Sequence, residues 1–539
     1  MPANSSAVIS ALAGLPPWDT LFNAPGGGLA EALPLDQAVA LGVRTPNAPV
    51  QDVHIVTTDA TTRDPLFSGL YLKVARQPGF RVLDPVRVTP DLLNVLRSQD
   101  TTGNAEAKDE SGMHDKWDGL LAEALRQGTS DLHLRVVRGS ATLRFRVNGE
   151  LRPPFLTTTE AEGMAMAHSM FNTMTDRRST KDEFDPRAQQ SASVTRVLSN
   201  GKVRLRYEGL PIEPDGTDVT LRVFDMRANA KARSAMSLGY SQDQSDAINR
   251  AFARSSGMIL FLGPTGSGKS TSSASMLTAL TERKPDKLLR TLEEPVEIVI
   301  PRASQTMLAR HGDESGTNQF NMALSALMRA DPDYLMVGEI RDIQTVNLAI
   351  QGVRTGHLLV STLHANGASA AIGRLRGLGV PSVDLADPGL LAGLIYQRLM
   401  PVLCEHCKIP AAAKQDDPHY ADVVGRLRTY MRAHHPDDTG LNGFYFRDFA
   451  GCDVCGHTGI TGRTAVAEVL TPNSLPMLEA IRADDMLALR KLWRATGDPN
   501  DPACMRGRTA FEHARWKAEQ GIVSPLDVEE LQPFDEDPL

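Results

Sequence analysis

The sequence is short of several things at once. Aromatic residues make up only 5% of the 539 positions, so its cores must be built mainly from aliphatic side chains. It has no excess of positive charge. Against 57 Lys and Arg stand 65 Asp and Glu, a net charge of -8, which argues against a chain whose main task is to grip a phosphate backbone, and no specific nucleic acid is expected. No apolar run approaches the roughly 18 residues of a membrane span. The longest uncharged stretches, such as Met258–Leu262, are strand-sized. No Lys or Arg precedes Arg44, so the charged start of a secretory signal is missing. With 5 cysteines there is no disulfide scaffold, and four of them form two Cys-x-x-Cys pairs, which points to metal in a reducing compartment. Together these features predict a cytoplasmic protein, in which any membrane association would have to come through a partner.

What is present suffices for several cores: 41% of residues are hydrophobic and 23% charged. At about 150 residues per domain the length predicts three or four modules. Residues 1–45, rich in Ala, Leu, Pro and Gly around Gly26-Gly27-Gly28, read as a flexible arm with one or two short helices. Residues 46–98 read as a small domain, with a strand at Val53–Val56 and a helix from Pro90 to Leu96. Residues 99–113 are polar and offer almost nothing to bury, as expected of a linker.

The next module spans 114–230. Trp117–Leu125 has apolar residues at helical spacing. Leu132–Val136, Thr142–Val147, Val203–Tyr207 and Val219–Phe224 alternate with period two, and Asn148-Gly149 is a hairpin turn signal. These predict a small α+β domain with an antiparallel sheet. Residues 231–400 alternate apolar runs with helical stretches, which predicts an α/β domain with a mostly parallel sheet. Residues 401–539 hold the cysteine pairs and helices around Met477–Trp493.

Gly263-Pro264-Thr265-Gly266-Ser267-Gly268-Lys269-Ser270 fits G-x-x-x-x-G-K-[ST]. The apolar run Met258–Leu262 precedes it and the helix-like stretch Ser270–Leu280 follows. Glycines let a backbone wrap a phosphate, and a helix N-terminus favours the anion. Lys269 is placed to reach β- and γ-phosphates, the Ser270 hydroxyl to ligate Mg²⁺, and Thr271 completes the loop. Phosphoryl transfer also needs a carboxylate for the metal and a group to orient water. Tyr334–Val337 runs into Gly338-Glu339, an apolar strand ending in an acid. Thr291–Glu297 places Glu293, Glu294 and Glu297 after another strand-like run. His357 and His364 flank Leu358–Thr362 and are candidate γ-phosphate sensors.

These boxes resemble those of the secretion ATPases, the motors of type II secretion, type IV pili and conjugative thin pili. The likeness rests on the Gly263–Ser270 loop, the T-L-E-E-P-V-E box at 291–297, the R-A-D-P-D-Y-L-M-V-G-E-I-R-D box at 329–342 and T-G-H-L-L-V-S-T-L-H at 355–364. It extends from Ser130–Leu134 and Phe145–Gly149 to Gln397-Arg398-Leu399 and the cysteine segment, about residues 115–470. The resemblance implies a RecA-like P-loop domain preceded by a PAS-like domain. It also implies a homo-hexamer working on an inner-membrane platform protein, with ATP and Mg²⁺ as cofactors. Glu297 matches the family's catalytic glutamate, Glu339 its Mg²⁺-linked acid, and Arg206 and Arg222 arginines of the smaller domain that approach the phosphates. The segment Val50–Asp100 looks loosely like the partner-docking domain of such motors. Three positions depart from the family pattern: Glu294 replaces an Asp, Ser325 an Arg, and Thr217 a Glu, with Arg310 a candidate replacement for the missing guanidinium.

Cys404 and Cys407, with Cys452 and Cys455, make two knuckles separated by 44 residues. Two knuckles complete a four-cysteine zinc site, which would be structural because it leaves no open position. Free or redox-active thiols are the other reading, and His406, His419 or His457 could replace a ligand. Cys504 reads as a buried small hydrophobe or free thiol. Cys452–Leu470 resembles the zinc-bearing part of the assembly and secretion members, a module that the resemblance places outside the pilus-retraction motors. The function expected is therefore ATP-driven domain motion powering assembly of a type IV pilus, pseudopilus or conjugative thin pilus. A DNA-translocating transfer ATPase and a retraction motor are the alternatives.

Overall fold

The computed structural model describes residues 9, 15–16, 20–22, 29, 33, 38–43, 48–58, 71–97, 106–176, 183–199, 201–226, 232–308, 314–435 and 440–537. Two compact units result, Met1–Gly119 and Leu120–Leu539.

The first unit is built on a small sheet. Its strands are β1 (Thr20–Leu21), β2 (Val39–Gly42), β3 (Gln51–Thr58), β4 (Phe80–Val82) and β5 (Val86–Val88). β2 pairs antiparallel with β3, and β4 and β5 pair parallel with successive parts of it. Val53 and Ile55 face one apolar cluster with Phe22 and Val74, while Val56 faces another with Leu92, Leu93 and Leu96 of helix α1 (Pro90–Arg97). The sequence reads 1–45 as an arm, yet its described parts supply β1 and β2. Val39 and Leu41 are fully or almost fully buried, so the segment is bound to the sheet by the same apolar alternation that makes β3 a strand. The short helices expected in that arm fall outside the described residues.

Helix α2 (Glu106–Arg126) leads into the second unit. Its first turns occupy 106–113, part of the expected linker. Glu106, Ala107, Lys108 and Glu110 are good helix formers, and they extend a helix whose later residues Leu120, Leu121 and Ala124 are buried. Seven strands follow: β6 (Thr129–Val137), β7 (Ser140–Val147), β8 (Glu150–Leu151), β9 (Leu156–Thr158), β10 (Gln190–Leu198), β11 (Gly201–Ile212) and β12 (Gly216–Asp225). They form an antiparallel sheet in the order β10-β11-β12-β6-β7-β8, with β9 on β7. Asn148 and Gly149 both have positive φ (54° and 89°), the geometry of a two-residue hairpin turn between β7 and β8. One face buries Leu132, Leu134, Val203, Leu205, Val219 and Leu221 under helix α3 (Glu160–His168) and its neighbours. The alternate positions carry Arg204, Arg206 and Arg222 on the other face.

The second sheet has the order β15-β14-β16-β17-β13-β18-β19, with β13 (Gly257–Leu262), β14 (Leu289–Glu293), β15 (Ala303–Met307), β16 (Tyr334–Val337), β17 (Leu358–Leu363), β18 (Leu391–Leu403) and β19 (Ile460–Leu470). All pairs are parallel except β18 with β19. Every residue of β13 is buried. Met258, Leu260 and Leu262 enter one core, while Ile259 and Phe261 enter the other. A parallel strand covered on both faces reads as an uninterrupted apolar run for this reason. The first core continues into the C-terminal region through Phe511, Ala514 and Ala518 of helix α4 (Ala510–Glu519) and through Phe534. The expected boundary at residue 400 therefore falls inside β18, and β19 completes the same sheet. Among the described residues no helix is long and apolar enough to cross a membrane.

Candidate functional site

Parallel pairing in register brings the C-terminal ends of β13, β14, β16 and β17 to one edge of the sheet. Leu262 lies beside Leu363, and Leu292 beside Val337. In such sheets ligands bind outside the carboxyl ends of the strands. A cleft of about 1410 Å³ opens there, and its far wall is the arginine-bearing face of the antiparallel sheet.

The loop after β13 turns through glycines that need positive φ: Gly263 at 138°, Gly266 at 79° and Gly268 at 86°. A Cβ at Gly263 would collide with the Gln397 carbonyl oxygen. Gly268 caps helix α5 (Lys269–Arg283), so the helix N-terminus meets the loop. Thr265 to Thr271 line the cleft. Gly263 and Pro264 do not, but their carbonyl oxygens accept from Lys269 Nζ at 2.9 and 2.8 Å. Burial lowers the Lys269 ammonium below its ordinary pKa, and the charges of Glu339 and Glu297 oppose the shift. Gln397, fully buried on β18, braces the loop by donating from Nε2 to the Ser267 carbonyl at 2.7 Å. Its Oε1 accepts from the Tyr240 hydroxyl.

Glu293, Glu294, Glu297 and Glu339 all line the cleft, but their surroundings differ. Glu293 is buried and accepts from Thr291 Oγ1 at 2.6 Å and Gln305 Nε2 at 2.9 Å. Burial pushes its carboxyl above the ordinary range. Glu297 lines the cleft. Glu339 also lines it and meets Arg341 Nε at 2.8 Å and His364 Nε2 at 3.4 Å. Thr362 Oγ1 donates to the Gly338 carbonyl at 2.8 Å and Gly338 N to Leu292 O at 2.8 Å, which fixes the backbone leading into Glu339. The longer side chain of Glu294 reaches Arg341 Nη1 at 3.3 Å. Sequence reasoning missed Arg341, although its place two residues after Glu339 was the available signal.

Arg206 and Arg222 are cross-strand partners on β11 and β12, and both line the cleft. Like charges so close need acids beside them. Arg206 Nε donates to Glu208 at 3.0 Å and Arg222 Nε to Asp131 at 3.0 Å. Arg204, on the same face, was also missed by sequence reasoning. Its Nη1 donates to the Val296 carbonyl at 3.2 Å. His357 does not join the site. It sits before the first residue of β17, at the opposite edge of the sheet, where its Nδ1 lies 2.9 Å from the Gly352 carbonyl. The two flanks of a strand of this length point away from each other, so a pair of histidines bracketing it cannot share a ligand. Ser325 does not line the cleft, and Arg310 lies outside the described residues.

The residues match the family model for type II/IV secretion system proteins over 106–520. The chain belongs to the secretion ATPase family. The type II secretion system ATPase E of Vibrio cholerae is 32% identical over 373 residues, which are 68% of this chain and 66% of that protein. The type IV pilus assembly ATPase PilB of Thermus thermophilus is 29% identical over 433 residues, 78% of this chain and 43% of that protein. This secretion ATPase thus spans about two thirds of the first relative's length and less than half of the second's. Its fold is similar to that of the Legionella pneumophila ATPase DotB, with a TM-score of 0.52 and 20% identity, over 77% of this chain and 94% of that one.

Away from the cleft, Cys404, Cys407, Cys452 and Cys455 bring their sulfurs within 4.8 Å of one another, with neighbours at 3.8, 3.8 and 3.9 Å. Disulfides would need about 2.05 Å. Zinc–sulfur bonds of about 2.3 Å give a tetrahedron whose edges are about 3.8 Å, so the four thiols fit that ion. Burial raises the Cys455 thiol, but N–H groups of Cys452 and Gly459 at 3.2 and 3.1 Å help bring it down to about 5. No histidine is in the group among the described residues, and His457 faces Asp453 instead, at 3.1 Å. Cys504 is buried and stands apart.

Proposed function

We propose that this secretion ATPase is a RecA-like P-loop motor with a PAS-like sheet domain, working as a homo-hexamer that powers assembly of a type IV pilus, pseudopilus or conjugative thin pilus. The observation that carries the reading is the convergence on one cleft of Lys269, Glu297, Glu339 and His364 from the sheet edge, and of Arg206 and Arg222 from the opposite wall. Lys269 and the loop amides hold the β- and γ-phosphates of ATP. Glu297 orients the attacking water and takes its proton. Arg206 and Arg222 exchange their present carboxylate partners for the γ-phosphoryl oxygens as charge grows there, a task suited to a guanidinium fork. His364 reports on the γ-phosphate through Glu339. Ser270 and Glu339 would hold Mg²⁺, an oxygen donor set that suits a hard cation. When bound, Mg²⁺ neutralises charge on the phosphate oxygens. The four cysteines would hold zinc as a structural ion.

ATP-driven movement of the antiparallel sheet against the parallel one would be passed to an inner-membrane platform protein, so membrane contact comes through partners at the cytoplasmic face. The cysteine module and the relatives named for secretion and pilus assembly support outward assembly over retraction. The test is a deletion strain viewed by electron microscopy and complemented with wild-type or K269A protein. The deletion should lack surface filaments or an exported substrate, and K269A should fail to restore them. Abundant static filaments would point to a retraction motor, and normal filaments with lost DNA transfer to a DNA motor. Either result overturns the assembly reading.

A further inference from the structure

Arg204 ties the antiparallel sheet to the loop that bears Glu297. It lies two residues before Arg206 on β11, so both leave the same face of the strand. Its Nη1 donates to the Val296 carbonyl oxygen at 3.2 Å, the oxygen of the peptide unit whose nitrogen belongs to Glu297. Val296 is itself buried at 7% exposure and Arg204 is half-buried, so this grip is partly shielded from water. The Arg204 Nε is buried without a hydrogen-bond partner among the described residues. Burying a charged group with an unsatisfied donor is costly, and an aliphatic side chain would fill the same space without that cost. Packing therefore does not account for an arginine here; reach to the Val296 carbonyl does.

We infer that Arg204 is a positioning residue that sets the orientation of Glu297 according to where the antiparallel sheet stands. With the sheet against the loop, the Val296–Glu297 peptide is held and the carboxylate faces the cleft. With the sheet displaced, that hold is lost. Domain position is thereby read out at the acid that orients water, by one hydrogen bond. The inference rests on the proposed role of Glu297.

The test uses the full chain with R204M, which keeps bulk but removes the donor, and R204K, which keeps a cationic donor. Steady-state ATP hydrolysis gives kcat and KM, and titration with a fluorescent ATP analogue gives affinity. R204M should lower kcat by about tenfold to a hundredfold, the scale of a misplaced catalytic group, while affinity changes less than about twofold. R204K should recover part of kcat, and it carries the test should R204M fold poorly. In an E297Q background R204M should add no further loss, because the group it positions has gone. A normal kcat in both variants, an affinity loss matching the kcat loss, or full additivity with E297Q would overturn the inference. An E297Q chain with normal kcat would instead overturn the reading of Glu297 on which it rests.

Discussion

Arg447 grips both carboxylate oxygens of Glu150, Nη2 to Oε2 at 2.9 Å and Nη1 to Oε1. Glu150 opens β8 of the antiparallel sheet, and Arg447 stands beside the cysteine cluster. Its Nε donates to the Thr458 carbonyl at 2.8 Å, and the Thr458 hydroxyl donates to the Cys455 carbonyl at 2.6 Å. A polar chain thus runs from the cysteines to the sheet that forms one wall of the cleft.

That pair is partly shielded, with side chains 10% and 32% exposed. Removing one partner strands the other, so E150A and R447A should each destabilise the fold. A double-mutant cycle in urea unfolding should give a coupling of about 1–3 kcal/mol. Strictly additive losses would show that the bidentate contact contributes nothing in solution.

Replacing Glu297 by Gln should leave nucleotide binding largely intact and cut kcat by about a hundredfold or more, the scale of a lost general base. Glu293→Gln should instead leave kcat nearly unchanged and cost the fold little. Glu293 is enclosed by Thr291 and Gln305, and its burial favours the protonated form that a glutamine imitates. Steady-state kinetics of the two variants decides between them. A kcat collapse in E293Q alone would move the water-orienting role four residues upstream.

Purified protein should contain one zinc per chain by elemental analysis. C404S or C455S should lower the unfolding midpoint, with a loss on the order of several kcal/mol, while ATP affinity in the folded fraction changes little. The cluster lies outside the residues that line the cleft, which is why the two effects separate. Absence of metal, with all four thiols freely alkylated in the folded protein, would remove the site.

Asp527, on the short helix α6 (Pro525–Glu529), is pushed up to about 7. Burial is the main cause and Glu530 adds to it, while Arg447 opposes. A carboxyl whose pKa is raised on folding favours the native state at pH below its unfolded value near 3.8, and that advantage is lost as pH rises to about 7. D527N should therefore gain stability relative to wild type as pH climbs from 5 to 7, by roughly 1–3 kcal/mol, with little further change above that. Chemical unfolding at several pH values measures the difference. A gap that stays constant with pH would mean that Asp527 ionises freely in the folded protein.

Much of the site was legible because its chemistry forces an order on the sequence. A phosphate loop needs glycines of positive φ between a buried strand and a helix, and Met258–Lys269 spells out that succession. The strand of the acidic Glu339 was equally plain, since a parallel strand buried on both faces shows no alternation to confuse it. β18 was not legible as one strand. Gln397, Arg398 and Pro401 interrupt its apolar run, and Gln397 is polar because it serves the loop next door. Arg204 hid in plain alternation, since a charged residue on the outer face of a strand ordinarily points to water and here points to a carbonyl. Contacts of that kind are set by how two sheets face each other, which no local pattern encodes. The helices around Met477–Trp493 were foreseen as a region, but they are two, Leu475–Arg482 and Met486–Arg494, separated at Asp484, which has a φ of 60°.

The brace on the phosphate loop also has a consequence in time. Gln397 follows Ser267 by 130 residues, and β19, which closes the sheet beyond it, comes later still. At the usual pace of translation, roughly 5–20 residues per second, the glycine loop leaves the ribosome some 6–26 seconds before the side chain that holds it in shape. A nascent chain exposes the motif long before it owns the pocket. The shape of the loop is therefore fixed late in synthesis, only after the strands flanking β13 have been made.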